Sequence, residues 1–235
     1  MKKNTTLFCF PYAGGSSLVF KDWGKYLDKS IDLVPIELAG RGERGNEELY
    51  RNIDEAIEDC YFIIKKYMVS KKEFAVFGHS MGALIAYLVL SKLHEDDGCT
   101  PKHVFFSGRL PPHIKNDRED WHLLPDAEFI GKILEFGGTD KEVFENDELR
   151  DYFLPILRSD ISIVELYKHK KIEVINSDIT ILTGDKDISV NNDKLKEWKK
   201  YSGKNCYLQK FEGDHFYINN QTANIVGIIN QRLKK

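Results

Sequence analysis

The sequence predicts an α/β fold in which a mostly parallel, doubly wound sheet carries an inserted helical segment. Two observations predict it. Six short apolar runs recur without strict alternation, as strands buried on both faces do. Segments with helical spacing fall between most of them, and a β-α-β-α order builds a parallel sheet with right-handed crossovers. Length and composition permit this: 235 residues, 42% hydrophobic and 30% charged, suit one domain over 1–235 with an insertion at about 110–177.

The elements follow in chain order. Residues 6–10 form the first strand, and Pro11 with Gly14-Gly15 ends it in a tight turn. Residues 20–27 carry Phe20, Trp23 and Leu27 at helical spacing, and 32–38 form the second strand. Residues 53–67 place Ile53, Ile57, Tyr61 and Ile64 on one helical face before a third strand at 73–77. Residues 82–93 are apolar nearly all round, which predicts a buried helix, and His103–Ser107 is the fourth strand.

No convincing strand follows until residue 179. Asp126–Phe136 is an amphipathic helix with Phe129, Ile130, Ile133 and Leu134, and 147–167 is a helical stretch interrupted at Pro155. By pattern this insertion fits an ordinary helical subdomain and a lid equally well. Residues 179–183 and Cys206–Phe211 are the last strands, with helices at Lys194–Tyr201 and 223–233.

Charge excludes several classes. A net charge of -3 gives no basic field for nucleic acid. The pairs Lys65-Lys66, Lys71-Lys72, Lys170-Lys171 and Lys199-Lys200 read as solvated helix ends. Four cysteines without C-x-x-C spacing predict free thiols, with Cys9 and Cys206 buried in strands. The basic start Met1-Lys2-Lys3 precedes an apolar run too short for a signal peptide. No stretch reaches the ~18 apolar residues of a membrane span. The expectation is a cytoplasmic protein without membrane or nucleic-acid partners.

The chemistry centres on Gly78-His79-Ser80-Met81-Gly82. G-x-S-x-G arises by chance in roughly one chain of this length in a dozen, so alone it is weak. Here an apolar strand precedes it and an apolar helix follows at once, the context of a nucleophile elbow in an α/β-hydrolase fold. Flanking glycines suit a turn too tight for a Cβ. A serine hydroxyl needs a base and an orienting acid, and in this architecture the order is Ser, acid, His. Asp187 and Asp185 follow the fifth strand; Asp187 is preferred because the acid usually lies a little way into that loop. His215 follows the sixth strand and is the base. His79 should point away from Ser80, and the remaining five histidines precede the acid. The glycine-rich turn at 11–15 then holds an oxyanion rather than a phosphate. Its donors are the backbone N–H groups of Ala13 and Met81, each worth roughly 3 kcal/mol to a transition state.

"FPYAGGSS", "ELAGRGER", "FGHSMGALIAY", "FGGT" at 136–139, "LRSDISIVELY" and "GDHF" occur in order from Phe10 to His215. Together they resemble the type II thioesterases that accompany nonribosomal peptide and polyketide synthetases. Ala39 departs from the family, which often has proline there. The resemblance implies an acyl or aminoacyl thioester on the 4'-phosphopantetheine of an acyl- or peptidyl-carrier protein, with no cofactor or metal of the enzyme's own, a monomeric state, and a role in removing wrong or stalled acyl groups. It implies that the insertion is a lid, with Phe129, Phe136 and Phe153 as candidates for the wall of an acyl chamber. Arg158 and Asp160 lie in a family motif there and read as a structural ion pair rather than catalytic groups. The alternatives are a chain-releasing thioesterase of fatty acid or polyketide synthesis, a carboxylesterase of the same fold, and a carrier-protein binding module without turnover.

Overall fold

The computed structural model describes residues 5–68, 73–114 and 120–234, so Met1-Lys2-Lys3 and Lys71-Lys72 lie outside the described residues. Six strands form one sheet: β1 (Thr5–Phe10), β2 (Ile31–Pro35), β3 (Glu73–His79), β4 (His103–Ser107), β5 (Asp178–Gly184) and β6 (Cys206–Phe211). Their order is β2-β1-β3-β4-β5-β6 and every pairing is parallel. All six residues of β1 are buried, which explains its unbroken apolar run.

Alternate side chains feed two layers. Phe8, Phe10, Val76, Val104, Phe106 and Ile181 pack with residues of α1 (Ile53–Met68) and α2 (Met81–Asp97). On the other face Leu7, Cys9, Phe77, Phe105 and Leu182 meet Phe20 and Trp23 and, toward the C-terminus, Ile225 and Ile229. Between β4 and β5 lie α3 (Asp126–Phe136), α4 (Glu142–Glu145) and α5 (Asp147–Glu165), and no strand occurs there among the described residues. These helices share a small core of Phe129, Ile133, Phe144, Leu157 and Ile161. The C-terminal helix α6 (Thr222–Leu233) completes the second layer. Among the described residues no helix is long and apolar enough to cross a membrane.

Several local expectations are corrected. Residues 20–27 form no α-helix but two 3-10 turns, Ser17–Phe20 and Trp23–Lys25. Eight residues with Gly24 in the middle cannot offset helix nucleation, yet Phe20 and Trp23 still reach the core. Lys194–Tyr201 is likewise 3-10. β2 stops at Pro35 rather than residue 38; it is an edge strand, where the missing N–H is tolerated. Helix α5 runs unbroken through Pro155. Pro155 and Asp151 are both exposed, so the carbonyl that loses its donor is open to water. Lys170-Lys171 belongs to an irregular exposed stretch, not a helix end, and Cys206 is only half-buried although all four thiols are free.

Two histidines are buried in the sheet. Burial, reinforced by the nearby His215, pushes His79 down to about 3, and burial pushes His103 down to about 4. Both are neutral in the folded chain, whereas the unfolded chain protonates them below about 6.5. Their contribution to stability is whole above that pH and declines as pH falls toward 4. Lowering pH from 7 to 5 should cost ~2 kcal/mol for each. His103 accepts or donates one bond at 2.8 Å to Thr180 Oγ1, which glutamine can replace. Denaturant unfolding of His103→Gln at both pH values should therefore show a loss smaller by about that amount; a loss equal to wild type contradicts the assignment.

Candidate active site

The chain winds from β1 to β2 in one direction and from β3 onward in the other, so the sheet order reverses between β1 and β3. Ligands of open parallel sheets bind at the carboxyl ends of the strands beside such a reversal. The loop 11–15 leaves β1 there, and Ser80 leaves β3 beside it.

Ser80 occupies the turn between β3 and α2 with φ 54° and ψ -114°. It is one of two described non-glycine residues with positive φ, a conformation costing of order 1–3 kcal/mol. The turn is tight because two backbones converge on it. A Cβ on Gly78 would lie 2.3 Å from the Gly82 carbonyl oxygen, and one on Gly82 would lie 2.3 Å from that of Phe10. The Ser80 N–H donates to the Ser107 carbonyl at 2.8 Å, which anchors the turn to β4.

His215, in the loop after β6, lies in hydrogen-bond reach on both sides. Its Nδ1–H donates to Asp187 Oδ2 at 2.8 Å, and its Nε2 accepts from Ser80 Oγ at 2.9 Å. Asp187 Oδ1 accepts from the Ser189 N–H at 2.9 Å and from Ser189 Oγ–H at 2.6 Å. Burial opposes a charge on Asp187, but the bonds from His215 and Ser189 outweigh it and hold the carboxyl below its ordinary value. Asp185 stands elsewhere: its Oδ1 accepts from the Gly213 N–H at 3.0 Å and ties the two loops together. The structure thus sets Asp187, not Asp185, against His215.

Sequence reasoning missed Ser189, although Asp-x-Ser is the spacing of a side chain that folds back on a backbone N–H two residues on. His79 makes no hydrogen bond to Ser80 and packs instead beside His215. Its ring lies 5.1 Å from that of His215, and its Nδ1 bonds Ser107 Oγ at 2.7 Å, which in turn meets Tyr217 Oη at 2.5 Å.

The N–H groups of Ala13 and Met81 have no hydrogen-bond acceptor among the described residues. Met81 opens α2, where the first N–H groups lack helical partners. Ala13 and Met81 line a small cavity of about 40 Å³ with Ser80 and His215. A larger cavity of about 370 Å³ also opens on Ser80 and His215; its apolar wall includes Ile133, Phe136, Phe153 and Leu157. The Phe136 ring lies 4.7 Å from that of His215. Phe129 is a correction: it is fully buried in the helical core, under the Arg158 guanidinium at 4.4 Å. It sits two turns, about 10 Å, before Phe136 along α3, and only the later part of that helix, with Ile133 and Phe136, lines the larger cavity.

Gly82→Ala would drive a methyl group into the backbone at the end of β1, where no side chain can yield. The substitution should destabilise the fold by more than ~3 kcal/mol, at the severe end for a single residue. Denaturant unfolding measures this; a variant within 1 kcal/mol of wild type, by the same scale, shows that the turn can relax.

Residues 5–233 match the profile of the family described as Thioesterase domain. The linear gramicidin dehydrogenase LgrE of Brevibacillus parabrevis is 33% identical over 231 residues, 97% of this chain and 87% of that protein. A dehydrogenase name draws attention to Gly40-Arg41-Gly42-Glu43-Arg44-Gly45, which has the G-x-G-x-x-G spacing of a dinucleotide fingerprint. That fingerprint must open a long helix to hold a pyrophosphate. Here it opens only the 3-10 turn Gly42–Arg44, and Arg41 is buried in an ion pair. Two solved structures are similar along the whole chain. ClbQ, from the colibactin NRPS/PKS pathway, is 33% identical with a TM-score of 0.93, covering 98% of this chain and 97% of that one. The type II thioesterase BorB, from the borrelidin biosynthetic cluster, is 28% identical with a TM-score of 0.88, covering 99% and 94%. With a serine turn, a six-stranded parallel sheet and a family match from β1 to the end of α6, the chain belongs to the thioesterase domain family and is a hydrolase acting on thioesters.

Proposed function

We propose that this enzyme hydrolyses acyl or aminoacyl thioesters on the phosphopantetheine arm of acyl- or peptidyl-carrier proteins, and that it clears wrong or stalled groups from a nonribosomal peptide or polyketide synthetase. The observation that carries the proposal is the hydrogen-bonded line Ser80–His215–Asp187 opening onto a largely apolar cavity. The similarity to type II thioesterases supports the choice of substrate.

Ser80 Oγ attacks the thioester carbonyl while His215 Nε2 takes its proton. Asp187 fixes the tautomer in which Nε2 is free to accept, and its low proton affinity keeps it ionised opposite the imidazolium. The N–H groups of Ala13 and Met81 hold the oxyanion. Collapse expels the pantetheine sulfur, which takes the proton from His215, and leaves an acyl group on Ser80. Water, deprotonated by the same imidazole, then attacks the ester and releases the carboxylic acid. The helical segment between β4 and β5 acts as the lid and walls the acyl chain with Phe136 and Phe153. The enzyme works as a cytoplasmic monomer and supplies no cofactor or metal of its own.

A panel of acyl groups loaded on one holo carrier protein, with release followed by intact mass, tests the substrate class. Turnover should exceed that of a matched p-nitrophenyl ester in kcat/KM; the reverse order identifies a carboxylesterase. Preference for one long chain over short and aminoacyl groups identifies chain release instead. Ser80→Ala should lower kcat by a factor on the order of 10³ or more while the fold stays intact. Asp187→Asn should lose about 10²- to 10⁴-fold, and Asp185→Asn, whose Oδ1 still serves Gly213, only a fewfold. Wild-type rates for Ser80→Ala defeat the scheme, and reversed aspartate effects reassign the acid. Phe153→Ala should shift the chain-length optimum upward, by about fourfold in relative kcat/KM per added methylene at ~0.8 kcal/mol each. An unchanged profile in a folded variant removes Phe153 from the chamber wall.

A further inference from the structure

Arg41 and Asp160 form a buried ion pair, with side chains 2% and 0% exposed, that joins residues 119 positions apart. The contact is two-pronged: Arg41 Nη1 donates to Asp160 Oδ2 at 2.6 Å and Nη2 to Oδ1 at 2.7 Å. Arg158, read with Asp160 as a structural ion pair, pairs instead with Asp126 at 2.6 Å and also donates to the His122 and Leu124 carbonyls. Burial opposes the charge on Arg41, yet attraction to Asp160 and its hydrogen bonds raise the guanidinium pKa. A buried pair of this kind is weak evidence for stability, because its desolvation cost rivals its attraction.

What sets the pair apart is where its remaining bonds go. Asp160 Oδ2 also accepts from the Gly14 N–H at 2.7 Å, and Arg41 Nη1 donates to the Gly15 carbonyl at 3.2 Å. Both partners therefore grip the loop after β1. That loop carries Ala13, which lines the small cavity beside Ser80 and whose own N–H has no acceptor among the described residues. A peptide bond is planar, so fixing the Gly14 N–H fixes the Ala13 carbonyl, while the turn bond from the Gly15 N–H to the Tyr12 carbonyl at 2.9 Å holds the plane that contains the Ala13 N–H. Asp160 stands on α5 beside Ile161 and one turn after Leu157, and both of these line the larger cavity. One helical turn thus carries acyl wall and loop anchor together.

We infer that Asp160 is a positioning residue: by holding the Gly14 N–H, with Arg41 as counter-charge, it aims the Ala13 N–H at the oxyanion and makes seating of α5 a condition for that donor to be in place. This rests on the oxyanion role of Ala13 proposed above. Asp160 touches no reacting atom, and its effect falls on the transition state rather than on substrate binding.

Two neutral double variants separate this from a purely structural role. Arg41→Met with Asp160→Asn removes the ion pair but keeps a side-chain oxygen for the Gly14 N–H. Arg41→Met with Asp160→Leu removes both. The leucine variant should turn over at least about 30-fold more slowly than the asparagine variant at similar KM, the scale expected for a misplaced oxyanion donor. Its affinity for an alkyl trifluoromethyl ketone, which forms a tetrahedral adduct on serine, should fall in the same proportion. Equal kcat and equal ketone affinity in the two variants overturn the inference. Should the variants not fold, wild-type amide exchange by NMR decides it. The Gly14 amide should be protected, and the Ala13 amide should become protected only when the ketone adduct forms; a Gly14 amide exchanging as fast as that of Ala13 overturns it. Ser80→Ala at wild-type rate would instead overturn the proposed function, so the two failures are distinct.

Discussion

The close approach of the β1 end to the first turn of α2 governs everything else at this site. The carbonyl oxygens of Phe10 and Pro11 would lie 2.3 and 2.5 Å from any Cβ at Gly82. Only glycine permits that contact, and the contact forces the chain through Ser80 at positive φ. Strain at Ser80 is held by β3 and α2 on either side and by its N–H bond to β4. The same approach brings the loop after β1 against the start of α2. Ala13 and Met81, from segments almost seventy residues apart, therefore border one small cavity.

Charge is placed sparingly in this interior, and each buried charge is matched. Asp187 is almost wholly covered, but three hydrogen bonds reach its two oxygens, and these outweigh the cost of burial. The pair formed by Arg41 and Asp160 is matched by two charged contacts and two backbone groups. Asp187 accepts two bonds from Ser189 and one from His215, and Asp160 accepts two from Arg41 and one from Gly14. Such arrangements serve geometry better than stability. Around them the walls are aromatic: Tyr12, Phe136 and Phe216 pack edge to face beside His215.

The segment between β4 and β5 is built differently from the sheet. Its own core is small, and α5 also seats Ile163 in the main core beside α1 and α2. Ser159 Oγ–H donates to the Tyr50 carbonyl at 2.7 Å, Asp160 engages Arg41, and Tyr152 Oη accepts from the Gly42 N–H at 3.2 Å. All three lie on α5 and reach the stretch after β2. Near the far end of the same helix, Glu165 accepts the N–H groups of Trp121 and His122, both at 3.1 Å, and holds the turn that precedes α3.

By itself the sequence determined what depends on neighbours along the chain. The strand runs, the buried helix after Ser80, the helix Asp126–Phe136 and the serine turn are all local patterns, because burial on both faces, helical spacing and glycine flanks are written within a few residues of one another. The preference for Asp187 over Asp185 came from loop position alone, and the structure sets that residue against His215. Elsewhere local patterns misled: the apparent helix at 20–27 and the break at Pro155 reflect propensities that packing and solvent exposure override. Only the tertiary structure decided which phenylalanines line the cavity, that His79 packs beside His215, and that Asp160 pairs with Arg41 rather than with Arg158. Each of these is a contact between segments brought together by the order of strands in the sheet. A side chain's neighbour across the sheet leaves no trace in its own stretch of sequence.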